Sequence, residues 1–294
     1  MLPALFYGDG EADLALGSWA ESSGTGAVYF ISGPIDADIE DAGFRIAGSA
    51  AGSFFGSHGA VAGDLDGDGG DDVVIGLDGP PPDGWCAYGI SGDVAADALV
   101  TDVAILMIDA GDDTEIHCHY LSRGDIGGDG EPELLVGDAT TDDGDSDVGA
   151  VYAFDGPVAS HSDLSVDGVL ALADADVVVY GIGEDAQVAP AEVGDFDGDG
   201  TGDLAVGAPL FVHSVVGDGA VFLFLGPLSP GQYSLDDADF QYNGENPTQA
   251  GTDLAVGNFD GDNLADLLVG APYDCWGPGG FWGGAAYVVY GESL

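Results

Sequence analysis

The sequence predicts an all-β repeat protein, and a recurring acidic peptide with the apolar run behind it carries that prediction. Residues 64 to 72 read Asp-Leu-Asp-Gly-Asp-Gly-Gly-Asp-Asp, and residues 195 to 203 repeat the pattern. Related peptides lie at 125 to 133 and 258 to 266, with an eroded copy at 7 to 13. A short apolar run closed by glycine follows each of the four better copies, which is typical of a β-strand.

The acidic peptide is predicted to connect two strands of a β-hairpin. Residues 59 to 63 enter the first intact copy, and the apolar run from Val73 leaves it. An EF-hand opens with the same letters, but it requires a glutamate at its twelfth position and a helix on either side. Ile75 and Val206 occupy that position here, so the sequence favours strands.

One repeat is about 60 to 70 residues long, because the ninth loop position falls at 13, 72, 133, 203 and 266. Two more strands follow the hairpin, as at 219 to 225 and 238 to 244. Four-stranded antiparallel units repeated radially make the blades of a β-propeller. We therefore predict about five blades in a single domain of residues 1–294, with repeats at roughly 1–50, 51–112, 113–184, 185–246 and 247–294.

The spacing of acids within a loop predicts a calcium site. Side chains at positions one, three, five and nine can converge on one ion, and Ca²⁺ accepts six to eight oxygen ligands at about 2.3–2.6 Å in tolerant geometry. Mg²⁺ demands stricter geometry, and transition metals prefer His or Cys. Glycines at positions four and six let the backbone turn with positive φ, so that the carbonyl of residue seven joins the set.

The predicted ligands fall in four loops, two of which have all four acids. The residues are Asp64, Asp66, Asp68, Gly70 and Asp72; Asp195, Asp197, Asp199, Thr201 and Asp203; Asn258, Asp260, Asp262, Leu264 and Asp266; and Asp125, Asp129, Glu131 and Glu133. The alternative is that these loops are acidic turns without a metal, since Asp and Gly are common turn formers. That alternative is favoured for the eroded first copy, where Leu5 and Tyr7 stand in ligand positions.

Three short motifs give the repeats a family resemblance. Phe55-Gly56, Gly207-Ala208-Pro209 and Gly270-Ala271-Pro272, together with the acidic loops, resemble the FG-GAP repeats of β-propellers of the integrin α-subunit type. The resemblance covers nearly the whole chain. It implies a calcium ion in each intact loop, on the face opposite the usual ligand-binding surface. Such propellers commonly have seven blades, so the chain is either a compact five-bladed ring or a fragment of a longer propeller.

The charge is extreme, at a formal net value of −52 with 54 acidic residues, no lysine, and only Arg45 and Arg123 as strong bases. This balance argues against nucleic acid as a partner. With 46% hydrophobic residues the chain can still bury a core. We expect a medium rich in cations, and halophilic adaptation is a competing cause of the acidity.

Calcium loops predict an extracellular or cell-surface location, where Ca²⁺ is millimolar. No signal peptide is recognisable at residues 1 to 6, and no run is long enough to span a membrane. Cys86, Cys118 and Cys275 are odd in number and scattered, so their disulfide state is left open.

Aromatic residues collect in the loops predicted to join strands two and three, which must emerge opposite the calcium loops. We predict a surface for a protein or glycan ligand there. The alternative is that these side chains pack over the ends of the blades. The residues are Trp19, Trp85, Phe211, Tyr273, Trp276, Phe281 and Trp282.

Two short motifs resemble functional sites but are not predicted to be such sites. Arg123-Gly124-Asp125 spells an adhesion tripeptide, but Asp125 opens a calcium loop and is expected to turn inward. In His117-Cys118-His119 only the two histidines can share a strand face, and two histidines make a weak metal site.

The sequence thus predicts a non-catalytic, calcium-binding extracellular β-propeller that binds a protein or glycan in adhesion. It has no Gly-x-Ser-x-Gly motif, no recognisable Cys-His pairing and no lysine to act as a base. The alternatives are a propeller domain of a secreted polysaccharide-degrading or other hydrolytic enzyme, and a structural spacer in a long surface protein.

Overall fold

In the computed structural model, the regular secondary structure of the described residues is almost entirely β-strand. The described residues are 13–33, 43–78, 84–109, 118–141, 148–158, 168–183, 186–213, 217–245, 247–274 and 283–291. The helices in this part are one turn long: α1 (Glu21–Gly24), α2 (Val100–Val103) and two 3-10 turns at Leu172–Asp174 and Leu235–Asp237. None of the helices found there has the length and apolar character needed to cross a bilayer.

The strands are short, and most have four to six residues. In chain order they are β1 (Leu14–Gly17), β2 (Ala27–Ile31), β3 (Phe44–Ala47), β4 (His58–Gly63), β5 (Asp72–Gly76), β6 (Trp85–Ile90), β7 (Ala98–Leu99), β8 (Ala104–Asp109), β9 (Tyr120–Gly124), β10 (Glu133–Asp138), β11 (Ala150–Phe154), β12 (Val169–Ala171), β13 (Val177–Tyr180), β14 (Ala191–Gly194), β15 (Asp203–Ala208), β16 (Ala220–Phe224), β17 (Gly231–Ser234), β18 (Phe240–Asn243), β19 (Leu254–Gly257), β20 (Asp266–Ala271) and β21 (Ala285–Val289).

These strands form five sheets, divided between two compact units. The first unit comprises residues 1–121 and 156–174, and the second comprises 122–155 and 175–294. Sheets β1-β2-β3-β7 and β4-β5-β6-β8-β12 belong to the first unit. Sheets β9-β10-β11-β13-β17, β14-β15-β16-β18 and β19-β20-β21 belong to the second, with β9 beginning in the first.

Consecutive strands of a repeat pair antiparallel, as the sequence predicts for a propeller blade. In the fourth sheet β15 pairs with β14 and β16, and β16 pairs with β18. The strands after the acidic loops read as continuous apolar runs because both of their faces are buried, as in β5 and β15. The predicted all-β fold of four-stranded antiparallel blades is therefore confirmed.

Each sheet packs a face against the next sheet in its own unit. Leu135 and Val151 of the third sheet share one buried cluster with Val206 and Phe222 of the fourth. A second cluster joins the first two sheets through residues such as Phe30 and Tyr88. Burying a large apolar side chain contributes roughly 1.5–3 kcal/mol, so these faces supply most of the stability of each unit.

An additional parallel strand, which the sequence did not predict, covers the outer edge of three sheets. β7, β12 and β17 pair in parallel with β3, β8 and β13. Each is followed by a helical turn that buries one apolar residue, and then by the fourth strand of its own repeat. Each of the three repeats that supply such a strand thus protects the exposed edge of the preceding one, which removes a site for aberrant strand pairing. The buried residues of the turns are Val100, Leu172 and Leu235.

A glycine near the end of the second strand is required by close backbone packing. A Cβ added to Gly17, Gly137 or Gly207 would lie 2.0, 1.9 or 2.3 Å from the carbonyl oxygen of residue 56, 189 or 251, respectively. The glycine of the Gly207-Ala208-Pro209 motif is therefore a packing requirement, because no side chain fits against that carbonyl.

We expect Gly207→Ala to lower the free energy of unfolding by about 1–3 kcal/mol, because the methyl group forces the backbone of residue 251 away. Urea unfolding measures the change. Gly59→Ala is the control, since its methyl group would meet nothing within 4 Å. Equal effects of the two substitutions would contradict this account.

Glu192 makes the second unit sensitive to pH. It lies on β14, where burial raises its pKa from 4.5 to about 7 and the charge of Asp253 adds to the rise. A carboxyl with a raised folded-state pKa binds its proton more tightly when folded, so its ionisation lowers stability as pH rises from about 5 to about 8.

We expect Glu192→Gln to raise the free energy of unfolding at pH 8 by about 1–2 kcal/mol and to have little effect at pH 5. Urea unfolding across this pH range at constant ionic strength measures the difference. The exposed Glu245→Gln variant is the control. An identical pH dependence in the Glu192→Gln variant and the original chain would contradict the assignment.

Candidate metal centres

The acidic loops connect the first two strands of four sheets, as predicted. They lie between β4 and β5, β9 and β10, β14 and β15, and β19 and β20. Their fourth and sixth residues have positive φ in every case, which confirms the backbone conformation predicted for the glycines. Asn263 replaces the second glycine in the last loop and adopts φ 78°, a conformation that asparagine tolerates. The glycines are Gly67 and Gly69, Gly128 and Gly130, Gly198 and Gly200, and Gly261.

Main-chain N–H groups fix the orientation of each loop carboxylate. The N–H groups of Gly67 and Gly69 donate to the two oxygens of Asp64 at 2.7 and 2.9 Å. Asp66 accepts from Asp68 at 3.0 Å, and Asp68 accepts from Gly70 at 2.7 Å. Such local bonds form because an aspartate readily caps the backbone two or three residues ahead.

The loop at residues 195 to 203 repeats this pattern. Gly198 and Gly200 donate to Asp195 at 2.7 and 3.1 Å, and Thr201 donates to Asp199 at 2.7 Å. The carboxylates are therefore positioned by the loop itself before any ion binds.

The ninth residue is a buried carboxylate that ties the loop to its sheet. Asp203 is fully buried and accepts N–H bonds from Phe196 at 2.8 Å and from Gly226, just beyond β16, at 2.9 Å. Asp72 and Asp266 are equally buried and make the corresponding bonds, the latter to Phe259 and Gly291. The loop and the end of the third strand are thus held by one side chain.

Burial raises the pKa of Asp72 and Asp203, although the N–H bonds oppose the rise. A neighbouring loop carboxylate, Asp66 or Asp197, adds to it. The ionised form is consequently disfavoured at these positions, and a cation held by the loop would offset that cost.

Two loops bring three carboxylates together. One oxygen from each of Asp64, Asp66 and Asp72 lies within 4.8 Å of the others, and Asp195, Asp197 and Asp199 form a second such group. These sets contain only oxygen donors, which is the chemistry that Ca²⁺ prefers. The two groups belong to the two loops with complete acid patterns.

The loop at residues 125 to 133 has Gly127 and Glu133 where the two intact loops have aspartates, and the two differences compensate for each other. Glu133 is buried and accepts N–H bonds from Ile126 at 2.8 Å and Gly127 at 3.1 Å. A Cβ at Gly127 would lie 2.7 Å from a Glu133 oxygen, so the longer acid occupies space that an aspartate at 127 would need. Asp125 accepts three N–H bonds within its own loop, from Gly128, Asp129 and Gly130.

The last loop has an amide in place of its first acid. Asn258 accepts an N–H bond from Gly261 at 2.6 Å through its single carbonyl oxygen. An amide has only one acceptor atom, whereas Asp64 uses both oxygens. Neither this loop nor the Asp125 loop gives a three-carboxylate group within the part of the chain that the structure describes.

Most of the eroded first copy lies outside the described residues. Its ninth residue, Asp13, is buried and accepts an N–H bond from Gly33, which follows β2. This bond corresponds to the one between Asp203 and Gly226. The first copy has therefore kept the residue that joins the loop to its sheet.

The candidate ligand-binding aromatics divide into two classes. Trp19 and Tyr273 are exposed by 53% and 44% in loops between second and third strands. Trp85 is the first residue of β6 and not a loop residue, and it packs against the core, as Phe211 does against Phe222. Trp276, Phe281 and Trp282 lie outside the described residues.

A further group of side chains was missed by sequence reasoning. This group consists of His58, Asp78 and His119. His119 directly follows Cys118, which forms a disulfide with Cys86. In the sequence the neighbouring histidine of His119 is His117, which lies outside the described residues. No local pattern links residues this far apart along the chain, so only the tertiary structure could identify the group.

Comparisons with known proteins agree with these features. A family model described as the FG-GAP repeat matches residues 191–224 and 250–289. Integrin alpha-PS2 of Drosophila melanogaster is 30% identical over 229 residues, covering 72% of this chain and 15% of the relative. Integrin alpha-PS5 of the same organism is 32% identical over 157 residues, covering 50% and 14%. The chain thus spans a small fraction of the length of these relatives.

A solved structure described as the Dos1 propeller aligns with 84% of this chain and 48% of its own, at a TM-score of 0.43 and 8% identity.

We expect Asp203→Asn to lower the free energy of unfolding in the presence of chelator by about 1–3 kcal/mol, because an amide leaves one of the two buried N–H donors facing an NH₂ group. Urea unfolding without calcium measures this loss. Asp199→Asn is the matched control, since its amide oxygen can still accept from Thr201. A larger loss in the control would contradict the structural role of Asp203.

Proposed function

Because this chain is an FG-GAP repeat β-propeller of the integrin α-subunit type, we propose that it is a calcium-stabilised, non-catalytic binding module that acts in adhesion. The observation that carries the proposal is the pair of three-carboxylate groups, at Asp64 and at Asp195, each built on a loop whose N–H groups hold the acids in place. An extracellular or cell-surface location follows from the millimolar Ca²⁺ that such loops need.

The loops at 64 to 72 and 195 to 203 would each hold one Ca²⁺ through their aspartates and the carbonyl of Gly70 or Thr201. We extend the proposal to the loop from Asn258 to Asp266, with one acid fewer, and to the loop of Asp125, Asp129 and Glu133. When bound, the ion supplies positive charge next to acids that have little protein cation to balance them.

A ligand surface is proposed separately in each unit, at the other ends of the same strands. In an antiparallel meander the connection between strands one and two and that between strands two and three lie at opposite ends. Trp19 and Tyr273 are exposed there and suit contact with a protein or a glycan. Trp276, Phe281 and Trp282 lie outside the described residues and are proposed for the same role from the sequence, whereas Trp85 and Phe211 pack against the core. No observation in the described ranges favours the hydrolase or the spacer alternative.

We expect Ca²⁺ to raise the melting temperature strongly at fixed high ionic strength, and Mg²⁺ to do so weakly, because binding to the folded state stabilises it by mass action. Thermal unfolding with chelator, then with each ion, measures this. Asp195→Asn should reduce the calcium effect, whereas the exposed Asp236→Asn should leave it intact. A melting temperature that follows ionic strength alone would contradict the calcium assignment and favour halophilic adaptation.

We expect the calcium-loaded chain to bind at least one member of a glycan array or an array of extracellular matrix proteins. Trp19→Ala and Tyr273→Ala are tested separately, and at least one of them should weaken that binding about tenfold or more, as loss of aromatic contacts does at interfaces. Asp236→Asn again serves as the control. The absence of binding to both arrays, or full binding by both single variants, would oppose the proposed surfaces.

A further inference from the structure

We propose that His58, Asp78 and His119 form a metal site of a second kind, for a transition cation such as Zn²⁺. The site lies in the first unit and is chemically distinct from the acidic loops. Two imidazole nitrogens and one carboxylate oxygen make up its protein ligands. The inference does not depend on the proposed adhesion role or on calcium binding.

The three side chains converge closely enough for one ion. The Nε2 atoms of His58 and His119 lie 3.9 and 3.5 Å from Oδ1 of Asp78, and all three ligand atoms lie within 4.8 Å of one another. Tetrahedral zinc with bonds of about 2.0–2.2 Å places its ligand atoms about 3.3–3.6 Å apart. The ligand atoms therefore need to approach one another by about 1.5 Å at most, which side-chain rotation can supply.

Three separate segments of the fold build the site. His58 is the first residue of β4 and lies opposite Gly76 of β5, and Asp78 follows β5 by two residues. His119 is anchored by the buried Cys118, which forms a disulfide with Cys86 of β6. The position of each ligand is thus fixed by a strand end or by a covalent bond.

Gly76 makes the convergence sterically possible. A Cβ at this residue would lie 2.8 Å from the carbonyl oxygen of Cys118 and 3.1 Å from Cβ of His58. Its absence lets the segment before β9 approach the start of β4. The two imidazole rings then meet edge to face, with centroids 4.9 Å apart.

Exposure and donor type indicate what would bind. The side chains of His58, His119 and Asp78 are 26%, 23% and 51% exposed, so a solvated ion can reach them and retain a water ligand. Imidazole donors suit zinc, copper and nickel, whereas Ca²⁺ prefers the all-oxygen loops. The strongly negative chain also concentrates cations near its surface.

The test is a zinc titration of the calcium-saturated protein by isothermal calorimetry, under non-reducing conditions and in a Cys275→Ser background. Excess Ca²⁺ is present to compete with zinc at the acidic loops, and the serine removes the thiol outside the disulfide. We expect one zinc site per chain. His58→Gln, His119→Gln and Asp78→Asn should each weaken it tenfold or more, while the exposed His213→Gln should leave it unchanged.

A second readout does not depend on how the variants fold. One equivalent of Co²⁺ added to the starting protein should give the visible absorption of a low-symmetry site with nitrogen ligands, and excess Zn²⁺ should abolish it. The pale spectrum of the aqua ion would overturn the proposal. So would zinc binding that persists in the histidine variants, since this would place the ion on acidic groups alone.

Discussion

The rest of the blade depends on the N–H bonds that a buried carboxylate at the ninth loop position accepts. Asp203 joins the start of its loop to the end of the third strand by accepting one N–H bond from each. Asp72 and Asp266 do the same, and Asp13 keeps the bond to the third strand where the loop before it is eroded. Because burial disfavours the ionised form of Asp72 and Asp203, the architecture carries an electrostatic cost that a cation in the loop would offset.

The strongly negative charge of the chain is compatible with its fold, because acidic turns and apolar strands occupy different parts of each repeat. Many of the acids lie in turns, while strands that follow the acidic loops, such as β5 and β15, are mostly apolar and buried on both faces. Arg45 is one of two strong bases, and it is already engaged with Glu21. The protein therefore cannot neutralise its loops from within, and bound or solution cations must contribute. Donor chemistry separates two kinds of candidate site, with oxygen-only loops in both units and a histidine-containing group in the first.

The four loops also show how a repeat tolerates substitution. Glu133 still accepts the N–H bond of the second loop residue, Ile126, because its extra methylene reaches into the space left by the missing side chain of Gly127. Asn258 retains one of the two bonds made by Asp64, and Asn263 adopts the backbone of a glycine. In each case the shape of the turn is preserved while the number of carboxylates falls. Loop geometry and ligand charge are consequently separable, and a loop can remain structural after its ion affinity has declined.

The sequence by itself determined the repeat, the strand order within a blade, the turn glycines and the acids that belong to one loop. These features are local, because short apolar runs, positive φ and short-range N–H bonds act within about ten residues. Only the tertiary structure decided the parallel edge strands, the carbonyl packed against Gly207, the packing of Trp85 against the core and the pairing of Cys86 with Cys118. It alone brought His58, Asp78 and His119 together. Each of these contacts joins segments far apart in the chain, where no spacing in the sequence records the distance between them.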